Sequence, residues 1–216
     1  MKYLFVVAHC DDELLGAGAT IHKLAKDNDV YVYVMCNTGF NREKDMLDKC
    51  RAIKEDIGVK EYFFSTYEAL TLDGVPHIEL VQFIERAIAS VQPDVVITHY
   101  DKDLHTDHRM VSEACKVACR LPQRETIECT PIKQLLYMEV PSSTDWGNGF
   151  QPNVYIKVSA EDVEKKLKYL SLYDGVLRSD KHPRGANNIV SLARVRGSYC
   201  GNEFAEAFME VFRIEE

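Results

Sequence analysis

The chain of 216 residues carries 26 lysine and arginine residues against 34 aspartate and glutamate residues, giving a formal net charge of −8. This charge works against nonspecific attraction to nucleic acid or anionic lipid, and no block of basic residues offsets it. With 46% hydrophobic residues, the chain can bury one sizeable core, so we expect a single domain over residues 1–216. Seven cysteines without a Cys-x-x-Cys pair indicate reduced thiols, and we expect no signal peptide or membrane insertion. These features predict a cytoplasmic protein that acts on small molecules, and they leave a homo-oligomer open.

Strand-like and helix-like patterns alternate along the first two thirds of the chain. The continuous apolar run from Tyr3 to Ala8 predicts the first strand, and apolar residues at helical spacing from Leu14 to Ala25 predict the following helix. The same patterns predict strands at 30–36, 62–65, 94–99 and 134–140, and helices at about 46–57, 80–91 and 108–121. Next comes a polar loop, residues 142–149, with the only tryptophan, which we interpret as a rim or lid over a site. Further on, we expect strands at 154–158 and 208–214 and helices at 159–173 and 188–196.

Buried strands separated by helices indicate an α/β fold with three layers. We expect a Rossmann-like, mostly parallel sheet with helices on both faces. Right-handed crossovers favour the strand order 3-2-1-4-5, in which the first and fourth strands are neighbours. Ligand sites of such sheets lie beyond the carboxyl ends of the strands, so residues 9–13 and 101–108 are predicted to meet there.

The first chemical motif places a histidine and three acids in one short turn after the first predicted strand. It consists of His9, Cys10, Asp11, Asp12 and Glu13. Adjacent carboxylates at a buried strand end repel one another, so a cation or strong hydrogen-bond donors must compensate them. The same acids would also suit the first turn of a helix, where they offset the helix dipole. The motif alone therefore leaves both a metal site and a capped helix start open.

A second motif, Asp103-Leu104-His105-Thr106-Asp107-His108, follows the fourth predicted strand and opens a helix. Its two histidines are three residues apart and share one helical face. His108 joins His9 and Asp12 in a set of three ligands that leaves a fourth position for water, which is the composition of a hydrolytic zinc site. Iron(II) or manganese(II) would accept the same ligands. The two motifs together predict a metal site, with Zn²⁺ as the first choice and Fe²⁺ or Mn²⁺ as alternatives.

Hydrolysis at such a site also needs groups that move protons and stabilise charge. Asp11 lies beside a predicted metal ligand on a turn, so it is the candidate general base that holds the attacking water. His105 is the candidate acid or oxyanion partner, and Asp107 or Asp103 is expected to orient it and favour its charged form. We therefore assign Asp11, His105 and Asp107 to catalysis and Asp103 to substrate binding.

Other patterns in the chain carry less information. Gly16-Ala17-Gly18 superficially begins a dinucleotide-binding fingerprint, but it lacks the third glycine and lies within the predicted helix. His22, His77 and His99 are interpreted as surface or hydrogen-bonded residues without a functional role. A receiver-like signalling module is a non-enzymatic alternative, because it also places paired acids after a first strand. It would not need the histidines of the second motif.

The two motifs together resemble those of the PIG-L/LmbE family of zinc-dependent N-deacetylases, which read Ala-His-Pro-Asp-Asp-Glu and His-Pro-Asp-His. This chain has Ala-His-Cys-Asp-Asp-Glu at 8–13 and His-Thr-Asp-His at 105–108. Both prolines are replaced, by Cys10 and Thr106, which frees two backbone N–H groups without removing a ligand. The resemblance implies that His9, Asp12 and His108 are the zinc ligands. It also implies that Asp11 is the general base and that His105 stabilises the tetrahedral intermediate.

Weaker similarity to family members believed to act on sugars of cell-surface polysaccharide pathways covers residues 139–144, 181–184, 193–197 and 205–208. It implies removal of the N-acetyl group from an N-acetylglucosamine-type sugar, attached to a nucleotide or another aglycone, with release of acetate and a free amine. The alternative within the family is a deacetylase of a thiol-cofactor precursor such as a glucosaminyl-malate conjugate. The metal site does not separate these two substrates.

Arginines are the candidate residues for holding the substrate. Arg184, Arg194 and Arg196 are expected to bind phosphate or sugar hydroxyls, because a guanidinium fork suits both groups. Ordinary surface charge is the alternative interpretation of all three. The arginine that family members often carry near the second helix corresponds to Arg42 or Arg51.

Overall fold

A computed structural model describes residues 1–38, 43–124, 128–146 and 149–215. Seven strands form one sheet, and six α-helices flank it in this part of the chain. The strands are β1 (Lys2–Val7), β2 (Asp29–Thr38), β3 (Glu61–Glu68), β4 (Val95–His99), β5 (Gln134–Met138), β6 (Val154–Val158) and β7 (Phe204–Arg213). The helices are α1 (Asp12–Leu24), α2 (Glu43–Ile57), α3 (His77–Val91), α4 (Thr106–Ala118), α5 (Ala160–Leu170) and α6 (Ala186–Tyr199).

The strand order is β3-β2-β1-β4-β5-β7-β6. The first five strands are parallel, and β1 pairs with β2 on one side and with β4 on the other. The predicted order 3-2-1-4-5 and the mostly parallel, three-layer α/β architecture are therefore confirmed. The last strand, β7, is antiparallel to both of its neighbours, β5 and β6. Its position between them is a feature that the sequence patterns did not predict.

Hydrophobic cores lie on both faces of the sheet, as the continuous apolar strands require. Alternate residues of β1 point to opposite faces. Leu4 and Val6 belong to the core beneath α3 and α4, whereas Phe5 and Val7 belong to the core beneath α1, α2 and α5. All four side chains are fully buried. The strand that leads into the first chemical motif is thus fixed from both sides.

Element boundaries differ from the predictions by a few residues. Helix α5 begins with the capping box of Ser159 and Asp162 and ends at Leu170 rather than near residue 173. Helix α6 is longer than the predicted 188–196, and β3 is longer than the predicted 62–65. Strand β7 begins before the predicted start at residue 208. Turns and capping groups decide where each element stops, and apolar spacing reports these only indirectly.

Helix α1 is broken at Ala17, whose φ of −144° and ψ of 19° are not helical. The break separates a first segment, which begins with Asp12, from a regular second segment. It removes intrahelical partners from backbone groups that are buried. The Nζ of Lys166, on α5, donates to the free carbonyl of Leu15 at 2.8 Å. The prediction of one continuous helix from Leu14 onward is therefore wrong at this position.

Glu206, on β7, satisfies the other side of the break. Its carboxylate accepts hydrogen bonds from the backbone N–H groups of Ala19 at 3.3 Å and Thr20 at 2.7 Å. It also lies 2.6 Å from the Nζ of Lys166 in a buried ion pair. The second segment of α1 is therefore capped by a residue near the other end of the sequence.

Two glycines beside the break allow α1 to pack closely on its neighbours. A Cβ on Gly16 would lie 2.7 Å from the Sδ of Met138 and 2.9 Å from the carbonyl oxygen of Glu139. A Cβ on Gly18 would lie 2.9 Å from the Cγ of Lys166. Packing thus accounts for the Gly-x-Gly pattern, which lies inside the helix as predicted.

None of the helices in the described ranges combines the length and the apolar character that a membrane crossing requires.

Candidate metal centre and active site

The two chemical motifs meet at the carboxyl ends of β1 and β4. Residues 8–11 form the turn between β1 and α1, which begins with Asp12, and His105 is the N-cap residue of α4. The two strands are parallel neighbours, with Tyr3 opposite Val95 and Val6 opposite Thr98. Parallel strands present their carboxyl ends at the same edge, so the two turns lie side by side.

One carboxylate oxygen, Oδ2 of Asp12, lies at the centre of the site. It is 3.2 Å from Nδ1 of His9 and 3.3 Å from Nε2 of His108. It also accepts the backbone N–H of His9 at 2.8 Å and lies 3.5 Å from Nε2 of His99. Asp12 and His108 are buried, and His9 is partly exposed. The structure thus brings together the three predicted metal ligands.

The second ring nitrogen of each of these two histidines faces another carboxylate. Nε2 of His9 lies 3.0 Å from Oδ2 of Asp107, and Nδ1 of His108 lies 3.2 Å from Oδ1 of Asp103. Histidines that bind metals commonly donate their other N–H to a carboxylate, which fixes the ring orientation and raises its basicity. The arrangement leaves Nδ1 of His9 and Nε2 of His108 on the side of Asp12.

Asp103, predicted to bind substrate, is buried and engaged by protein groups. Its Oδ1 accepts the backbone N–H of His105 at 2.9 Å, and its Oδ2 accepts hydrogen bonds from the hydroxyls of Ser143 at 3.0 Å and Thr144 at 2.6 Å. Burial acts to raise the pKa of Asp103, but His108 first, and then the hydrogen bonds from Thr144 and the His105 backbone, lower it to about 2. The loop after β5 is thereby tied to the carboxylate that faces His108.

Asp107 is buried and accepts hydrogen bonds from the loop that follows β3. Its Oδ2 accepts the backbone N–H of Leu70 at 2.7 Å, and its Oδ1 accepts that of Leu72 at 3.3 Å. Leu70 has a positive φ of 67°, which is unusual for a residue with a branched side chain. The sequence offered no signal for this contact, because the two leucines lie in a segment without a regular pattern.

The carboxylates of the site attract positive charge. Burial disfavours the charged form of His108, yet the nearby Asp12 and the hydrogen bonds to Asp103 and Asp12 raise its pKa to about 9. Burial likewise opposes the charged form of His9, but Asp12 and Asp107 raise its pKa well above the usual range. In return, the two histidines hold the pKa of Asp12 well below its usual range, although burial acts to raise it.

The chemistry of these donors suits a divalent cation, and the three predicted ligands are divided between two potential metal groups. Two imidazole nitrogens and a carboxylate oxygen are suitable ligands for zinc, iron or manganese, and a cation would supply the positive charge that the histidines otherwise gain as protons. Among the described residues, three groups of side chains bring potential ligand atoms within 4.8 Å of one another. They are His9, His105 and His108; His9, Cys36 and Asp107; and Asp12, His99 and His108.

His99 is hydrogen-bonded and fully buried beside the site. Its Nε2 accepts the backbone N–H of Ala8 at 2.8 Å, so that lone pair is already used. Its ring stacks on the ring of His108 with centroids 4.0 Å apart, and its pKa is lowered well below the usual range, first by burial. Its place as the last residue of β4 was the sequence signal that it would lie at the site.

Asp11 is the N-cap residue of α1, but its side chain makes no capping hydrogen bond. The carboxylate is only partly exposed, and the nearest cation is Arg184, whose Nη1 lies 3.7 Å from Oδ2. Burial, followed by the charge of Asp12, raises the pKa of Asp11 to about 6, although Arg184 and His9 act to lower it. A carboxylate with such a pKa is suited to accept and release a proton near neutral pH.

His105 is held in a neutral form. Its Nδ1 accepts the backbone N–H of Asp107 at 3.2 Å, which assigns the ring proton to Nε2. Burial, together with the charges of His108 and His9, lowers the pKa of His105 to about 4. The charge of Asp107 acts to raise this pKa, as predicted, but burial and the two histidines outweigh it, so the predicted charged form is not favoured. The backbone N–H of Asp107 donates to the ring, and the Asp103 carboxylate accepts the backbone N–H of His105, so neither carboxylate accepts a proton from the ring.

The three candidate substrate arginines have different surroundings. Arg184 lies at the site and donates through Nε to the hydroxyl of Ser142 at 2.8 Å. Arg196 forms a two-pronged pair with Glu139, at 2.9 Å and 2.7 Å. Arg194 is exposed, 3.6 Å from Glu203. The contacts of the last two do not join them to the histidine cluster.

The arginine expected near the second helix has two candidates. Arg51 is exposed on α2, and its Nη1 lies 3.1 Å from Asp48. Arg42 lies outside the described residues. The structure therefore does not bring Arg51 into contact with the site.

Cys10 and Glu13, the remaining residues of the first motif, point away from the metal cluster into the core. Cys10 is buried with Leu14 and Cys50 in the core beneath α1 and α2. Glu13 is fully buried and accepts a hydrogen bond from the hydroxyl of Tyr62 at 3.3 Å. Burial raises its pKa well above the usual range, so the protonated form is favoured. Neither side chain belongs to a potential metal group among the described residues.

The fold and the paired motifs place the protein in the class that combines a mostly parallel α/β sheet with a cluster of histidines and carboxylates able to hold a metal ion. Residues 4–119 match the family model described as PIG-L: GlcNAc-PI de-N-acetylase. The match covers more than half of the chain and includes both motifs. The chain belongs to the PIG-L family.

Similar proteins include one curated relative and several solved structures. An uncharacterized deacetylase of Escherichia coli (strain K12), YaiS, is 29% identical over 178 residues, which cover 77% of this chain and 87% of that protein. The N,N'-diacetylchitobiose deacetylase of Pyrococcus horikoshii has a TM-score of 0.77 at 18% identity and covers 97% of this chain and 83% of its own. The 4-carboxy-2-hydroxymuconate hydratase GalB of Pseudomonas putida KT2440 has a TM-score of 0.76 at 19% identity, covering 100% and 99%. The last two show the fold alone, and they show it in enzymes of different activity.

The strand order of the sheet excludes the receiver-like alternative. Flavodoxin-like domains, to which receivers belong, have the strand order 2-1-3-4-5. Here β1 lies between β2 and β4, and β3 is at the edge. The match to a family of de-N-acetylases also argues against a signalling module.

Proposed function

We propose that the protein is a zinc-dependent hydrolase that removes the N-acetyl group from an N-acetylglucosamine-type sugar. The observation that carries the proposal is the pair of histidine nitrogens within 3.3 Å of one oxygen of Asp12, with the uncapped carboxylate of Asp11 beside them. His9, Asp12 and His108 would hold the metal. When bound, the metal would act as a Lewis acid that polarises the acetyl carbonyl and makes water easier to deprotonate.

Asp11 is the general base in this mechanism. It accepts a proton from the attacking water, and its pKa of about 6 leaves it mostly ionised at neutral pH. The same pKa allows the acid that forms to pass its proton to the departing nitrogen, so that acetate and a free amine are released. Arg184, 3.7 Å away, holds the carboxylate at the site.

His105 stabilises the negative charge that develops on the acetyl oxygen. The bond from the Asp107 backbone N–H to Nδ1 leaves the Nε2 proton available as a fixed donor. A donor that is oriented before reaction is worth about 10²–10³-fold in turnover at comparable sites. With a pKa of about 4, the ring donates a hydrogen bond rather than a full proton.

The substrate class rests on family membership and on the printed activities of similar proteins. The family model is described as a de-N-acetylase of a GlcNAc conjugate, and one structural neighbour is a deacetylase of an acetylated chitobiose. The two substrates to compare are an N-acetylglucosamine linked to a nucleotide and a glucosaminyl-malate conjugate, which differ in their aglycone. The imidazole nitrogens and the carboxylate oxygen of the site suit zinc as the first choice and iron(II) or manganese(II) as alternatives.

The test measures metal content and acetate release on the same purified protein. N-acetylglucosamine, its nucleoside diphosphate conjugate and a glucosaminyl-malate conjugate would be supplied in parallel, with Zn²⁺, Fe²⁺ and Mn²⁺ each restored to the chelated protein. We expect Asp11→Asn to lower turnover by ~10²–10⁴-fold at unchanged metal content, because it removes only the base.

Asp48→Asn is the matched control, because Asp48 is an exposed carboxylate on α2. It should leave turnover unchanged. Turnover retained in Asp11→Asn would overturn the base assignment. The lack of acetate release from every N-acetyl sugar, with metal bound, would overturn the proposed function itself.

A further inference from the structure

Three large apolar side chains are exposed in loops near the metal centre. Leu70 is 60% exposed, Leu104 57% and Trp146 74%. Single exposed apolar residues are ordinary on protein surfaces. These three are informative because each lies in the loop that follows a parallel strand at its carboxyl end, after β3, β4 and β5 respectively. This is the edge of the sheet at which the metal centre lies.

Hydrogen bonds attach all three loops to the carboxylates that face the histidines. The backbone N–H of Leu70 donates to Asp107, 2.7 Å away. Leu104 follows Asp103 directly, and its N–H donates to the carbonyl of Ser143 at 3.3 Å. Trp146 closes the short 3-10 helix that begins at Thr144, whose hydroxyl is 2.6 Å from Asp103. The positions of these loops are therefore coupled to the geometry of the site.

The backbone of Leu70 is strained where it contacts Asp107. Its φ of 67° lies in the left-handed region, which glycine and asparagine adopt more readily than leucine. The Asp107 carboxylate holds this conformation through the N–H groups of Leu70 and Leu72. Strain of this kind, kept beside an active site and ending in an exposed side chain, is typical of a residue that contacts a ligand.

We infer that Leu70, Leu104 and Trp146 form an apolar rim that binds an apolar group attached to the amino sugar. The inference rests on the proposed function and narrows its substrate to glycosides with an alkyl or aryl aglycone. An indole ring can also cover the apolar face of a sugar. The side chains of the rim would lose their contact with water when such a group binds.

Charge at the site also disfavours an anionic aglycone. Asp11 is partly exposed at this edge, and Asp145 accepts a hydrogen bond from the backbone of Ser142 on the loop that carries Trp146. Two cations at this edge are already engaged by protein groups: Arg184 donates to Ser142 and lies beside Asp11, and Arg109 donates to the carbonyls of Asp103 and Leu104. The whole chain is acidic, with a formal charge of −8. A nucleotide or malate group would meet this charge, whereas an alkyl chain would not.

The experiment compares kcat/KM for acetate release from N-acetylglucosamine, its hexyl β-glycoside and its nucleoside diphosphate conjugate. We expect the hexyl glycoside to be preferred over the free sugar by about tenfold or more, mainly through a lower KM. Trp146→Ala and Leu104→Ser should each bring this ratio close to one while kcat for the free sugar stays the same. Ile214→Ala is the matched control. It is 50% exposed and lies by the amino end of β5, at the opposite edge.

Leu70→Asn keeps a residue that tolerates the left-handed conformation and removes the apolar surface. It should preserve thermal stability and lower the preference for the hexyl glycoside. A wild-type protein without this preference, or variants that all keep it, would overturn the rim. Binding of hexyl β-glucoside, which has no acetyl group, provides a readout without turnover. If no sugar releases acetate but this binding weakens in Trp146→Ala, the proposed function fails and the rim stands.

Discussion

Two buried charged clusters lie at opposite ends of the first segment of helix α1, and their charges are matched differently. At the break, Lys166 and Glu206 pair at 2.6 Å, and both also bind backbone groups of α1. At the start of the helix, Asp11 and Asp12 face other carboxylates, histidine rings and one arginine at 3.7 Å. The first cluster is complete without a ligand. The second holds more negative charge than its permanent cations balance among the described residues.

The difference separates a structural role from a chemical one. A buried ion pair whose partners also bond to backbone keeps its atoms satisfied at every step of a reaction. A cluster that raises the pKa of His108 to about 9 and of Asp11 to about 6 is instead prepared to exchange protons or bind a cation. The first segment of α1 therefore has a structural ion pair at one end and, at the other, the turn that we propose to be reactive.

The largest effect is expected from His108→Ala, which removes a ligand from the reactive cluster. The metal should no longer copurify, and turnover should fall by more than the ~10²–10⁴-fold effect of losing a general base. Metal analysis and acetate release measure the two results. His77→Ala, an exposed histidine at the start of α3, is the control. Undiminished metal binding in His108→Ala would exclude this site.

Lys166→Met breaks the structural cluster and leaves Glu206 buried without its partner. We expect a loss of about 3–5 kcal/mol in the free energy of unfolding, measured by denaturant titration. The double variant Lys166→Met with Glu206→Gln should regain part of this loss, because no unpaired charge stays buried. Lys168→Met, on the same helix, removes an exposed partner of Asp56 and should cost less than about 1 kcal/mol. Equal losses in the two lysine variants would contradict the comparison.

Asp103→Asn sharpens the comparison within the reactive cluster, because it keeps the shape and removes the charge that faces His108. Metal affinity should fall by about 10–100-fold, as at other sites where the carboxylate behind a metal-binding histidine is lost. A competition titration with a chelator measures this. Asp101→Asn, two residues away, is the control and should bind metal normally. If both variants bind alike, the carboxylate does not orient the ring.

The smallest effect concerns acid stability at the capping box of α5. Burial acts to raise the pKa of Asp162, but hydrogen bonds from Ser159, His22 and Lys26 lower it to about 2. A lowered pKa in the folded state stabilises the protein above the usual value near 4, and this contribution is lost as pH falls from about 4 to about 2. The free energy of unfolding of Asp162→Asn should lie about 1 kcal/mol below that of the wild type at pH 7. A difference that does not shrink below pH 4 would contradict this.

The sequence predicts well those features that depend on residues close together in the chain or on the topology of parallel strands. The order of β1 to β5 and the meeting of residues 9–12 with 103–108 follow from apolar runs and right-handed crossovers. The broken helix does not, since Lys166 and Glu206, which satisfy the backbone groups freed by the break, lie far along the chain. The neutral state of His105 was also missed. It follows from burial of the ring and from the charges of His108 and His9, which the spacing of the motif does not reveal.

The position of β7 was beyond the sequence patterns for a similar reason. Alternating residues predict a strand at 208–214, but they do not say which neighbours it joins. The antiparallel pairing of β7 with both β5 and β6 depends on side chains and register across the whole sheet. The loops that carry Leu70 and Trp146 were likewise visible as segments, and only the structure attaches them to Asp107 and Asp103.

The place of β7 has a consequence for how the protein is made on the ribosome. Strand β6 joins the sheet only through β7, and the second segment of α1 is capped by Glu206, on the same strand. On the ribosome, helix α1 therefore emerges before the strand that caps its second segment. The turn at Asp11 and Asp12, at the start of that helix, is likewise synthesised well before Glu206.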